Sequence, residues 1–189
     1  MLKIVTAPNP ILSGSSKKIS KIDKNILKLI KEMEETLSAA KDPEGVGLAA
    51  PQVGKSLQLF ITKPTPKSPI QTFINPHIES KNEANVSSTD TAAPRAKKQT
   101  NSTKLEGCLS LPSIWGTVKR NPSITLSYLD KKGKKHAKTF KGLFAIIIQH
   151  EIDHLSGILF PKRVFEQNNK LFKSHRNEKG EDIFEEIEL

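Results

Sequence analysis

Gln149-His150-Glu151-Ile152-Asp153-His154-Leu155-Ser156-Gly157 is the stretch on which the reading of the chain turns. On a helix, residues i and i+4 share a face, so His150 and His154 can offer ring nitrogens to one point. Glu151 falls about 100° round from His150, beside the pair rather than in line with it. It can therefore reach a water on a metal without being forced to ligate the ion. Two histidines that hold a metal and a carboxylate that takes a proton compose the hydrolytic pattern H-E-x-x-H. An exposed helix carrying two histidines and some acids would spell the same letters. The residues just before it, Leu143, Phe144, Ile146, Ile147 and Ile148, argue otherwise, being apolar nearly all round as in a helix running through a core. Histidines at the end of such a helix need partners, and a metal is one. Asp153 faces the other flank and reads as a structural hydrogen-bonding residue.

A tetrahedral catalytic site takes three protein ligands and keeps one position open, so a third ligand must come from elsewhere. The metzincin pattern would place a histidine where this chain has Phe160, although Gly157 is kept. A thermolysin-like site would use a downstream glutamate, but Glu166, Glu178 and Glu181 lie in a polar tail with no supporting pattern. The remaining candidate is the only cysteine, Cys108, in Glu106-Gly107-Cys108-Leu109-Ser110. A lone cysteine is more often an inert buried residue than a ligand. Here Gly107 and the following Leu109-Ser110-Leu111-Pro112 put it on a tight loop leading into an apolar segment. A thiolate with two imidazoles suits iron(II) or zinc.

Three separated segments resemble the signature motifs of the peptide deformylases. They are Gly45-Val46-Gly47-Leu48-Ala49-Ala50-Pro51-Gln52, Glu106-Gly107-Cys108-Leu109-Ser110 and Gln149-His150-Glu151-Ile152-Asp153-His154-Leu155, in the family's order. The resemblance runs from about Leu2 to Val164 and thins around the second motif and in the tail. It implies an α+β fold with small, mostly antiparallel sheets packed around a central metal-binding helix. It implies a catalytic domain over residues 1–165, with a polar insertion at 79–104 and a charged tail at 166–189. The implied reaction is removal of the N-formyl group from the formylmethionine of newly made polypeptides. Cys108, His150 and His154 would hold one divalent metal ion, Fe2+ first, with Zn2+ or another divalent ion in second place. Glu151 would accept the proton of the attacking water and return it to the leaving amine. Gln52 and the backbone N–H of Leu109 would stabilise the oxyanion. The Gly47 backbone would pair with the peptide as an added strand. Val46, Ile146 and Ile147 would line an apolar slot for the methionine, the two isoleucines lying one turn before His150. Arg120 would pair with Glu106 and brace the cysteine loop. The alternative is an inactive, metal-stabilised deformylase-like binding protein associated with the ribosome; Glu151 and Gln52, which an unreactive site does not require, speak against it. A general endopeptidase is disfavoured by the missing third-ligand pattern of the zincins.

The length suits one domain. Thirty lysines and arginines against twenty acids leave a formal charge of +10, an excess that serves solubility and also suits an anionic partner such as the ribosome surface. Specific DNA binding is not expected. No apolar run is long enough to span a membrane. Met1-Leu2-Lys3-Ile4-Val5-Thr6-Ala7-Pro8 does not read as a signal peptide, and a single cysteine fits a reducing cytoplasm.

Along the chain, Leu2 to Val5 reads as an extended arm ended by Pro8 and Pro10. Asp23 caps a helix whose apolar stripe is Ile26, Leu27, Ile30, Met33 and Leu37, stopping near Ala40. Gly45 to Gln52 reads as a glycine-rich loop. Leu57–Ile61 and Phe73-Ile74 read as strands, the second ending before Asn75-Pro76. Residues 79–104 are too poor in apolar side chains to offset the entropy of ordering and read as a mobile loop, with Arg95, Lys97 and Lys98 as a minor candidate for ribosomal RNA contact. Ile124–Leu129, the turn Asp130–Gly133 and Lys135–Phe140 make a hairpin feeding the metal helix. In the tail, Ile183, Phe184, Ile187 and Leu189 would add a strand or short helix to the body.

Overall fold

The computed structural model describes residues 1–40, 44–81, 103–178 and 181–188. The first long element is α1 (Lys24–Ala39), and Asp23 starts it as the sequence predicts: its side chain accepts from the N–H groups of Asn25 and Ile26 at 2.9 and 3.0 Å. The helix buries Leu29, Ile30, Met33 and Leu37. Leu27, placed on that stripe by the sequence reading, is exposed at its rim instead, and Leu29 takes the inward position.

Two antiparallel sheets follow. The larger has the order β1-β2-β3-β6-β7, from β1 (Gly47–Ala49), β2 (Leu59–Thr62), β3 (Gln71–Lys81), β6 (Ser123–Leu129) and β7 (Lys135–Lys141). The smaller runs β4-β5-β8-β9, from β4 (Thr103–Cys108), β5 (Leu111–Lys119), β8 (Leu171–Arg176) and β9 (Asp182–Glu186). Between them lies α2 (Leu143–Leu155), the helix with the H-E-x-x-H pattern, and α3 (Phe160–Glu166) follows it against β5. Ala145 and Ile148 of α2 join Phe60, Phe73, Leu126 and Phe140 in a core whose rings stack and meet edge-on. On the other side Phe160 and Val164 of α3 pack with Cys108, Val118 and Leu171. The architecture is α+β, with the metal helix central.

Two segments depart from the sequence reading. Gly45–Gln52 is only partly a loop: Gly47–Ala49 pairs with β2, and Ala50–Val53 forms a 3-10 turn closed by Gly54 at φ +76°. β3 does not stop before Asn75-Pro76 but passes through them, with a register break between Ile74 and His77. A bulge is where a strand tolerates a residue with no N–H to give, and Asn75 takes φ +49° there while its side chain bonds both backbone groups of Ile19. The tail adds a strand to the body as expected: Ile183 and Phe184 lie on β9, which pairs with β8, and β8 in turn pairs with β5. Most of the expected insertion at 79–104, including Arg95, Lys97 and Lys98, lies outside the described residues, as does Leu189.

The opening arm, residues 1–16, is held by its backbone. Val5 N–H donates to the Gln52 carbonyl at 2.8 Å, Ala7 N–H to Ser110 at 3.0 Å and Ser16 N–H to Leu155 at 2.9 Å. Among the described residues no single helix is long and apolar enough to cross a membrane.

Candidate metal centre

His150 and His154 stand one turn apart on α2, and Cys108 ends β4 just before the turn into β5. Their donor atoms all lie within 4.8 Å of one another, with Cys108 Sγ 3.2 Å from His154 Nε2. A soft thiolate and two imidazoles form a donor set that a divalent zinc or iron ion accepts. His150 Nδ1 is engaged with Glu106 Oε2 at 2.9 Å, which leaves Nε2 for an ion. Burial holds His154 well below the usual histidine range, so it stays neutral with a lone pair to give. His154 Nδ1 is itself buried without a hydrogen-bond partner among the described residues.

Glu151 sits beside the cluster, 3 % exposed, and its Oε2 has no hydrogen-bond partner among the described residues. Burial pushes its carboxyl up to about 7 against the pull of His150. A buried carboxyl of near-neutral pKa, unengaged and facing a cavity, can accept a proton and return it. Gly47 passes directly over it: a Cβ on Gly47 would run into the carboxylate, coming within 2.7 Å of Cδ. Only glycine lets β1 come this close to the acid.

Gln52 is fully oriented. Its side-chain carbonyl accepts from Ala49 N–H at 2.8 Å, which turns the NH2 toward Cys108 Sγ at 3.4 Å and Ser110 Oγ at 3.2 Å. Glu106 and Arg120 meet in a two-pronged pair, Nε to Oε1 at 2.8 Å and Nη2 to Oε2 at 2.9 Å. Burial alone would raise Glu106, but the bonds from Arg120 and His150 outweigh it and hold the pKa to about 2. Arg120 continues to Asp153 at 2.5 Å, and Asp153 to Arg163 at 2.8 Å.

A cavity of about 260 Å³ opens on this cluster. Val46, Gly47, Gln52, Glu106, Cys108, Leu109, Ile146, Ile147, His150 and Glu151, all candidates from the sequence, line it; His154 and Arg120 lie behind it. The sequence reading missed Trp115, Leu105 and Leu143 in the same wall. Trp115 stands opposite Gly107 in the β4–β5 register, which puts the two on one face of the sheet. That signal is visible only once the register is known. The Asp153–Arg163 link was missed too, because the two residues come together only through the turn between α2 and α3.

Residues 1–170 match the family model described as polypeptide deformylase. A peptide deformylase of Desulfotalea psychrophila is 35% identical over 177 residues, covering 92% of this chain and 93% of that protein. Peptide deformylase 1 of Bacillus anthracis is 37% identical over 171 residues, covering 89% and 97%. Among solved structures, peptide deformylase from Thermotoga maritima superposes with a TM-score of 0.71 at 32% identity, over 86% of this chain and 97% of that one. The enzyme from Synechococcus elongatus, solved in complex with actinonin, gives 0.70 at 34% identity over 86% and 78%. With nearly the whole length matched and the three motifs folded onto one cluster, the chain belongs to the polypeptide deformylase family.

Proposed function

We propose that the protein hydrolyses the N-formyl group from the formylmethionine of newly made polypeptides, with Cys108, His150 and His154 holding one divalent metal ion. The observation that carries this is the meeting, at one end of a cavity, of a three-donor cluster and a buried, unengaged carboxyl at Glu151. The donor chemistry favours Fe2+, with Zn2+ or another divalent ion as a substitute. When bound, the ion supplies a water of lowered pKa and polarises the formyl oxygen.

The chain's own groups do the rest. Glu151 takes the proton of the attacking water and delivers it to the amine that leaves. Gln52, its carbonyl locked by Ala49, points its NH2 where negative charge develops on the formyl oxygen, and the backbone N–H of Leu109 is the second donor. The Gly47 backbone pairs with the peptide in the manner of an added strand, so the chain is held without regard to its sequence. Val46, Ile146 and Ile147 form the slot for the methionine side chain. Glu106, fixed by Arg120, orients the His150 ring.

The partner is the N-formylated nascent peptide, met in the cytoplasm, with the ribosome surface as a docking partner for a chain of formal charge +10. Residues 1–165 are the catalytic domain in this reading, with the polar stretch at 79–104 as an insertion and 166–189 as a charged tail whose strands extend the smaller sheet. Formate release from formyl-Met-Ala-Ser tests the proposal: wild type releases it and Glu151→Ala does not. Equal release by both would remove Glu151 from the chemistry, and none from either metal-loaded protein would remove the activity.

A further inference from the structure

The tail's strands reach the cavity through one side chain. Trp115 stands opposite Phe172 of β8, Ser174 lies two residues further along β8, and Phe184 of β9 stands opposite Ser174. Residues opposite each other or two apart share a face, so Trp115, Ser174 and Phe184 lie on the same side of the smaller sheet. Their contacts follow: Trp115 Nε1 donates to Ser174 Oγ at 2.9 Å, and the Phe184 ring meets the indole edge-on, centroids 5.7 Å apart and planes at 84°. The other end of the indole lies over Gly107, where a Cβ would come within 2.8 Å of the ring. Gly107 precedes Cys108, and the indole is part of the cavity wall. Phe184 is 42 % exposed, so its ring contributes little to the core.

Resting on the deformylase reading, we propose that Ser174 and Phe184 are positioning residues that fix the Trp115 ring against Gly107 and so set the width of the groove that takes the residues following the formylmethionine. The methionine itself is assigned to Val46, Ile146 and Ile147, which leaves the indole wall for the next part of the chain. A free indole would swing about its two side-chain torsions and present no fixed surface. A hydrogen bond at one edge and a ring at another remove that freedom before the peptide arrives. The fit of the peptide beyond the first residue is thus set by a hairpin more than fifty residues downstream of the tryptophan.

Because Trp115 is the only tryptophan, its emission reads the ring directly. In metal-loaded enzyme, Phe184→Ala and Ser174→Ala each shift that emission to the red and raise KM for formyl-Met-Ala-Ser about fivefold, as loss of one such contact gives. They leave kcat, and both constants for formylmethionine amide, unchanged, and Phe184→Tyr restores the wild-type KM. A shifted emission with unchanged KM for the tripeptide overturns the proposal, and so does an unshifted emission in both variants. Wild type that releases no formate counts against the deformylase reading instead. Peptide affinity from Trp115 quenching then decides the hairpin's part, equal affinity in wild type and Phe184→Ala overturning it.

Discussion

At the scale of single residues, the site is a set of groups whose freedom has been removed by neighbours. Gln52 aims its NH2 because Ala49 N–H holds its carbonyl, and Glu151 faces the cavity because Gly47 leaves it room. Gly47→Ala should therefore push the acid aside and lower kcat about a hundredfold, the usual effect of misplacing a reacting group by about 1 Å. Formate-release kinetics would show it, with metal content by elemental analysis unchanged; undiminished kcat would mean the acid has slack. These residue types and spacings are legible in the sequence, since H-E-x-x-H reports its own geometry through helical periodicity. Trp115 is not, because its place beside Gly107 depends on which strands pair and in what register.

Among the elements, α2 is the one on which the others depend. Its Ile148 is fully buried with Phe60, Phe73 and Leu126, while its far side carries the candidate ligands. Ile148→Ala should cost about 3 kcal/mol by the loss of buried surface and the cavity left behind, seen as a lower midpoint in urea with little change in KM for the folded fraction. Elements with a clean period are readable from the sequence: α1 with its Asp23 cap, and the β6–β7 hairpin across Asp130–Gly133. β1 is not, being three buried residues with no room for an alternation, and β3 is broken in the sequence by a proline that a bulge absorbs. Local patterns announce elements that stabilise themselves; β1 exists only because β2 pairs with it.

Over the whole molecule, a line of charges joins the two halves: Glu106 on β4, Arg120 after β5, Asp153 on α2 and Arg163 on α3. Glu106 is held at about 2 against an ordinary 4.5. Its contribution is fully present above the ordinary value and is lost as pH falls through about 2, a term of about 3 kcal/mol. Urea denaturation at stepped pH should show stability draining over that window, with a flatter profile in Glu106→Gln. Arg120→Met, which takes from Glu106 and Asp153 the cation they share, should cost about 3 to 5 kcal/mol at neutral pH. Metal removal acts at this scale as well, since the ligands come from β4 and α2. A chelator should lower the thermal midpoint by several degrees, and added Zn2+ should restore it in wild type but not in Cys108→Ser.

The opening arm has a consequence of its own. Its backbone donors reach Gln52, Ser110 and Leu155, one residue from each of the three motifs. The chemistry is thus laced up by a cord that contains none of it. A protease that snips the arm would disarm the enzyme while every reactive group is still in place.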